Sequence, residues 1–214
     1  MLSRAISEEN ATPIVLPKAS PLLFVISGPS GVGKDTLVDE LKKRDPTRRY
    51  AITATTRPRR PGEVDEVHYH FRSPEQFQEL IDAGELLEWA EVYGNRYGVP
   101  KFELRESLTQ NLDVVVKVDV QGAATIKKLI PQAILIFVAP YSMSELLQRH
   151  FRRRTEAGQE LNLRLQTAKQ EMEAMPIFDY VVVNKQGEMV RGVTALEAII
   201  AAEKSRMHPR VYTL

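Results

Sequence analysis

Cysteine is missing from all 214 residues, which excludes disulfides, a thiolate nucleophile and cysteine-held metal, and accords with a reducing compartment, the cytoplasm being the expected one. Metal chemistry through imidazole is no better provided for. His68, His70 and His150 stand at no metal-ligand spacing and read as structural. A charge excess of one sign is also lacking: Lys+Arg 29 against Asp+Glu 28 leaves a formal net charge of +1. No overall field therefore draws the chain to nucleic acid or to a membrane surface, and neither is an expected partner. Long apolar runs are absent too, so no segment reads as spanning a bilayer, and the N-terminal stretch lacks the apolar centre of a secretory signal.

What the chain does have is a hydrophobic content of 43%, enough for one well-covered core with residues left for inserted segments. Residues 1–20, with Arg4, Glu8 and Glu9 and with Pro13 and Pro17 interrupting any helix, read as a floppy extension. Beyond them, continuous Val/Ile/Leu/Phe runs at Leu22–Ser27, Val114–Val118, Ile134–Ala139 and Tyr180–Asn184 read as strands covered on both faces. Amphipathic helices are expected at 35–44, 101–110, 122–129, 143–152, 160–174 and 193–205. That alternation indicates an α/β fold with a parallel sheet and right-handed crossovers. Two stretches break it: 53–100, rich in Arg, Pro, Tyr and Glu, and the Arg-rich 149–165. Insertions of that kind are where a second substrate and a closing lid would sit.

The densest chemical signal is Phe24-Val-Ile-Ser-Gly28-Pro29-Ser30-Gly31-Val32-Gly33-Lys34-Asp35-Thr36, an apolar strand running through a glycine-rich loop into a helix. Glycines let successive N–H groups turn inward around an anion, and the following helix aims its positive end at the same point. Lys34 adds a mobile charge for the β and γ phosphates. The pattern meets G-x-x-x-x-G-K but lacks the final Ser/Thr, since Asp35 stands there and the nearest hydroxyl belongs to Thr36.

The first insertion contains Thr53-Ala-Thr-Thr-Arg57-Pro-Arg-Arg60-Pro-Gly-Glu63, then His68-Tyr69-His70-Phe71, then Leu87-Glu88-Trp89-Ala90-Glu91-Val92 and Tyr97. Arg57 and Arg60 with two downstream phenols can grip a phosphate monoester, although a basic run such as this can equally be a solvated loop. Glu88, a carboxylate in an apolar segment, is either paired with an arginine or aimed at a ligand's donors.

From about residue 22 to about residue 205 the chain resembles the guanylate kinases, through ISGPSGVGK, TATTRPRRPGE, YHF, EWAEVYGNRYG, KVDVQGA and YVVVN in that order. The resemblance implies a P-loop core (21–53, 107–141 and 173–207), a GMP-binding lobe (54–106), a lid (142–172), and the reaction of MgATP with GMP, or dGMP, to give ADP and GDP. It implies that the loop from Gly28 to Thr36 and Asn184 bind ATP, and that Thr36 contributes to Mg²⁺. It also implies that Thr53, Glu88 and Asp119 read guanine, that Arg57, Arg60, Tyr69 and Tyr97 hold the GMP phosphate, and that Lys34, Arg57, Arg149, Arg153 and Arg164 serve phosphoryl transfer. On 149–154 alone the residues are equally those of a solvated basic helix face.

Three positions depart from the family pattern. Asp35 places a carboxylate beside the triphosphate, Lys117 stands where many members carry an aspartate, and Val99 replaces a Ser/Thr beside the guanine. A non-catalytic interaction module and a kinase of other base preference are the alternative readings. The monomeric or homo-oligomeric state is left open.

Overall fold

The computed structural model describes residues 20–92, 94–152 and 158–211. Its centre is a five-stranded parallel sheet in the order β2-β7-β1-β8-β9. The strands are β1 Leu23–Ser27, β2 Arg49–Tyr50, β7 Val114–Lys117, β8 Ile134–Pro140 and β9 Tyr180–Asn184. The inner three are apolar except for Ser27 and Lys117 at the carboxyl ends of β1 and β7, for a physical reason visible in the packing. Alternate side chains leave opposite faces of a strand, and both faces are covered here. Phe24, Ile26, Val115, Ile134, Ile136 and Val138 pack with Leu37 and Leu41 of α1 (Lys34–Arg44) and Val193, Leu196 and Ile200 of α7 (Met189–Lys204). Leu23, Val25, Val114, Val116 and Leu135 pack instead with Leu104 of α3 (Lys101–Thr109) and Ala123 and Ile126 of α4 (Val120–Leu129).

The run Tyr180–Asn184 departs from the expectation of two covered faces. β9 ends the sheet, and Tyr180, Val182 and Asn184 turn inward while Val181 and Val183 are 47% and 49% exposed. An apolar run of β-branched residues suits an edge strand with one open face as well as a central one, so the composition could not tell the two apart.

The insertion at 53–100 folds into a second sheet of order β4-β3-β6-β5, built from β3 Ala54–Thr55, β4 His70–Phe71, β5 Leu86–Val92 and β6 Asn95–Pro100. Between β4 and β5 runs α2 (Pro74–Asp82), a helix absent from the expected set. Its start signal is plain: Ser73 accepts from the Gln76 N–H, the Gln76 side chain returns to the Ser73 N–H, and proline opens the first turn. The second insertion carries α5 (Met143–Arg152) and α6 (Gly158–Glu173).

One buried carboxylate ties the two sheets together. Glu103 of α3, 1% exposed, accepts from His70 Nε2 of the small sheet at 3.0 Å and from Arg49 of the core sheet, Nε at 3.0 Å and Nη2 at 2.9 Å. The ion pairs raise the His70 imidazole's affinity for a proton against the opposing effect of burial. A histidine raised above its ordinary 6.5 contributes stability that is complete below that pH and is lost as pH climbs through the elevated value. Glu103→Ala, which leaves His70 buried without this partner, should cost about 2–3 kcal/mol in urea denaturation at pH 6. The cost should shrink at alkaline pH.

Candidate active site

The winding of the central sheet reverses at β1, since the chain passes from β1 to β2 on one side, returns through β7 and then crosses β1 to β8 and β9 on the other, and at such a point a cleft opens beyond the carboxyl ends of the strands. The loop following β1 sits in it. Gly28 has φ +138°, and a Cβ there would lie 2.2 Å from the carbonyl oxygen of Val138 on the neighbouring β8, so no other residue fits. The loop is pinned from behind as well: Asn184 Nδ2 and Arg149 Nη1 donate to the Val32 carbonyl at 2.8 and 2.6 Å, and Arg149 Nη2 donates to the Asn184 carbonyl at 2.8 Å.

A cavity of about 380 Å³ fills the cleft between this loop and the small sheet. It brings together Ser30, Gly31, Gly33, Lys34, Asp35 and Thr36 of the loop with Thr53, Arg57, Arg60, Tyr69, Glu88 and Tyr97 of the insertion and Asp119 of the core. With Glu171 also lining it, residues as far as 141 positions apart in the chain, Ser30 and Glu171, face one space. Gly28, Pro29, Val32, Asn184 and Arg149 are not among its lining residues; they form the support of the loop. Arg153 and the side chain of Arg164 lie outside the described residues, as does the side chain of His150.

At one end stand cations. Lys34 Nζ donates to the carbonyls of Gly28 and Pro29, the latter at 3.1 Å, and burial lowers its proton affinity against the nearby carboxylates of Glu171 and Asp35. Glu171, at the end of α6, accepts from the Ser30 N–H at 3.1 Å. A carboxylate thus occupies a donor of the phosphate loop, and nothing in the sequence pointed to it. Arg57 is held by Glu63 (Nη2 to Oε1, 2.7 Å) and the Pro58 carbonyl, with its guanidinium 5.3 Å from the Tyr69 ring centroid. Tyr69 and Tyr97 meet edge to face at 6.3 Å. Glu63 also accepts from the Arg60 N–H at 2.8 Å, fixing the turn that presents both arginines; the sequence reading passed over it.

At the other end stand carboxylates. Asp119 caps α4, accepting from the Gly122 N–H at 2.7 Å. Glu88 is 6% exposed, and no donor among the described residues reaches its carboxylate. It packs on α4 at Gly122, where a Cβ would come within 2.6 Å of Oε2. Thr53 lies alongside, its hydroxyl donating to the Lys117 carbonyl at 3.3 Å. Burial, and secondarily the charge of Asp119, push the Glu88 carboxyl up to about 8. Val99 is fully buried in the core cluster under α3 and α4 and does not line the cavity.

The two other departures from the family pattern turn out to be partners: Lys117 at the end of β7 forms an ion pair with Asp35. Among the described residues no group of three or more His, Asp or Glu side chains could enclose a metal ion. Thr36 lines the cavity in the first turn of α1. No helix of the described residues is long and apolar enough to cross a membrane.

Residues 20–203 match the family model described as guanylate kinase. The chain is 47% identical over 191 residues to the guanylate kinase of Desulfitobacterium hafniense, covering 89% of this chain and 94% of that one. It is 42% identical over 199 residues to guanylate kinase 2, chloroplastic/mitochondrial, of Oryza sativa subsp. japonica, covering 92% and 70%. Among solved structures, the guanylate kinase of Anaplasma phagocytophilum superposes with a TM-score of 0.74 at 29% identity, covering 88% of this chain and 89% of that one.

The strain at Glu88 gives a measurable consequence. A carboxyl raised above its unfolded value contributes stability that is complete below about pH 4.5 and is lost as pH rises through about 8, where the buried group must ionise beside Asp119. Glu88→Gln escapes that loss. Melting temperatures of the ligand-free proteins should coincide near pH 5 and diverge in favour of the variant above pH 7; an offset independent of pH would contradict the assignment.

Proposed function

The chain belongs to the guanylate kinase family and phosphorylates GMP at the expense of ATP, and from that premise we propose how the cavity divides the work. The loop from Ser30 to Thr36 takes the triphosphate on its N–H groups and Lys34. Arg57, Arg60, Tyr69 and Tyr97 take the phosphate of GMP or dGMP, and Glu88, Asp119 and Thr53 take its guanine. We further propose that residues 54–106 act as the GMP-binding lobe and 142–172 as the lid, the remainder of 21–207 forming the core. The lid arginines Arg153 and Arg164 belong to the same proposal. Arg149 serves it from behind the loop, holding the Val32 and Asn184 carbonyls.

One observation carries the reading: one cavity has the phosphate loop at one end and, at the other, a buried carboxyl that no donor among the described residues reaches. A buried acceptor without a partner is costly unless a ligand supplies donors. Guanine offers two side by side, its N1–H and its exocyclic amine, whereas adenine offers no such pair.

The attacking atom is an oxygen of the GMP phosphate, anionic at neutral pH, so no general base is required. Rate comes from alignment of the two phosphates, from fixed positive charge on the transferring group, and from exclusion of water as the lid closes. Thr36, together with phosphate oxygens and water, would hold Mg²⁺, and the ion would supply neutralisation of phosphate charge. The cytoplasm is the compartment we propose.

The test is initial rates of ADP release with GMP, dGMP, AMP, UMP and CMP, on wild type and on Glu88→Gln. The guanine nucleotides should dominate in wild type. In the variant an acceptor oxygen becomes a donor facing guanine's own donors, so the GMP-to-AMP ratio of kcat/KM should fall about 100-fold or more. An unchanged ratio would assign base reading elsewhere. Glu171 provides a second check, because its carboxylate occupies the Ser30 N–H that a phosphate would use. Glu171→Gln should lower the KM for ATP about three- to tenfold by removing a like charge, with the KM for GMP unmoved.

A further inference from the structure

Lys117 is the last residue of β7, placed by the sheet register opposite Ile26 and two residues before Asp119. Its ammonium group faces two directions at once. On one side it forms the ion pair with Asp35, in the first turn of α1 and next in sequence to Lys34. On the other it lies 5.1 Å from the ring centroid of Tyr69, the same ring against which Arg57 packs. Lys117, Asp35, Tyr69, Arg57 and Lys34 all line the one cavity.

On the division of labour proposed above, the triphosphate lies on the Asp35 side and the acceptor phosphate on the Tyr69 side, which puts the Lys117 ammonium at the seam where the two phosphates meet. The pairing is unequal in exposure: the Asp35 side chain is 64% exposed, that of Lys117 only 22%. An exposed carboxylate is a weak holder of its partner, because water competes for both. A dianionic phosphate arriving on the Tyr69 side competes better, being more highly charged and offering several acceptor oxygens. The lysine stem is flexible enough to change partner while its backbone stays in the sheet.

We propose that Lys117 is a catalytic residue of this chain, released from Asp35 to the phosphate oxygens at the seam when GMP is bound. There it places a fixed charge on the group being transferred, a position at which charge accelerates the reaction by acting most strongly in the transition state. Asp35 then serves as the resting partner of the lysine in the empty cavity. No proton is lost in the exchange; the ammonium stays charged throughout.

The experiment compares Lys117→Met with the double variant Asp35→Asn/Lys117→Met. Methionine keeps the length of the stem without charge, and the Asp35 left behind is solvated, so the fold should survive; a melting curve checks it. Calorimetry on each protein without ATP or Mg²⁺ measures binding of GMP and of guanosine, which differ only in the phosphate. Lys117→Met should bind GMP about tenfold more weakly and guanosine unchanged, and its kcat should fall about 100-fold. Adding Asp35→Asn should not restore either quantity. Restoration by the second substitution would overturn the proposal, since it would mean that the lysine acts only to neutralise Asp35. Equal weakening of GMP and guanosine, or a kcat within threefold of wild type, would overturn it too. In each of those outcomes the wild-type enzyme still phosphorylates GMP, whereas failure of the underlying reading would appear as wild-type inactivity toward GMP.

Discussion

A cavity built to receive phosphate has to hold its cations while empty, and a buried or half-buried charge without a partner costs several kcal/mol. That constraint organises the site. Lys34 is turned onto the Gly28 and Pro29 carbonyls with Glu171 nearby, Arg57 onto Glu63, and Lys117 onto Asp35. Each of these cations has an internal stand-in for the oxygen atoms of a ligand. Binding is then an exchange of partners, and the net gain is smaller than a count of phosphate contacts suggests. Such a site favours turnover over tight ground-state binding, because interactions that strengthen as charge develops on the transferring group are the ones that raise rate.

The scaffold makes the exchange geometrically possible by fixing the backbone and leaving the side chains to move. Gly28 presses against β8, Asn184 and Arg149 hold the loop from behind, and Glu103 locks α3 between the two sheets. Gly122 leaves room on α4 for the Glu88 carboxylate. The loop donors and the Glu88 carboxyl therefore keep their places, and their separation is set by packing.

Much of this was legible before any coordinates. The strand–loop–helix pattern located the glycine-rich turn between β1 and α1, and hydrophobic runs located the central strands to within a residue, since a strand covered on both faces is apolar along nearly all its length. Short strands such as Ala54–Thr55 and His70–Phe71 carry no periodicity to read, so the second sheet was visible only as an irregular insertion. Pairing at long range was not legible at all. Asp35 and Lys117 each looked like an isolated departure, yet they stand 82 residues apart in the chain and answer one another. Glu63 and Glu171 were passed over for the same reason: a carboxylate in a polar segment has no local mark of the cation it will meet. The one open face of β9 was hidden because Val181 and Val183 differ from Val182 only in what lies across from them.

The Glu88 end of the cavity meets the same electrostatic constraint by a different route. Among the described residues no cation stands beside Glu88, and Asp119 makes an added negative charge there worse, so the carboxyl keeps its proton. At neutral pH burial holds the Glu88 carboxyl protonated, and on the proposed reading accepting guanine means giving up that proton. At the phosphate end, on the proposed reading, incoming negative charge displaces carboxylates from Lys34, Arg57 and Lys117. Both ends thus shed a competitor for each group that enters, one an acid's proton and the other an acid's anion. Local compensation of this kind explains how a protein with a formal net charge of +1 can handle two polyanions without a surplus of basic residues.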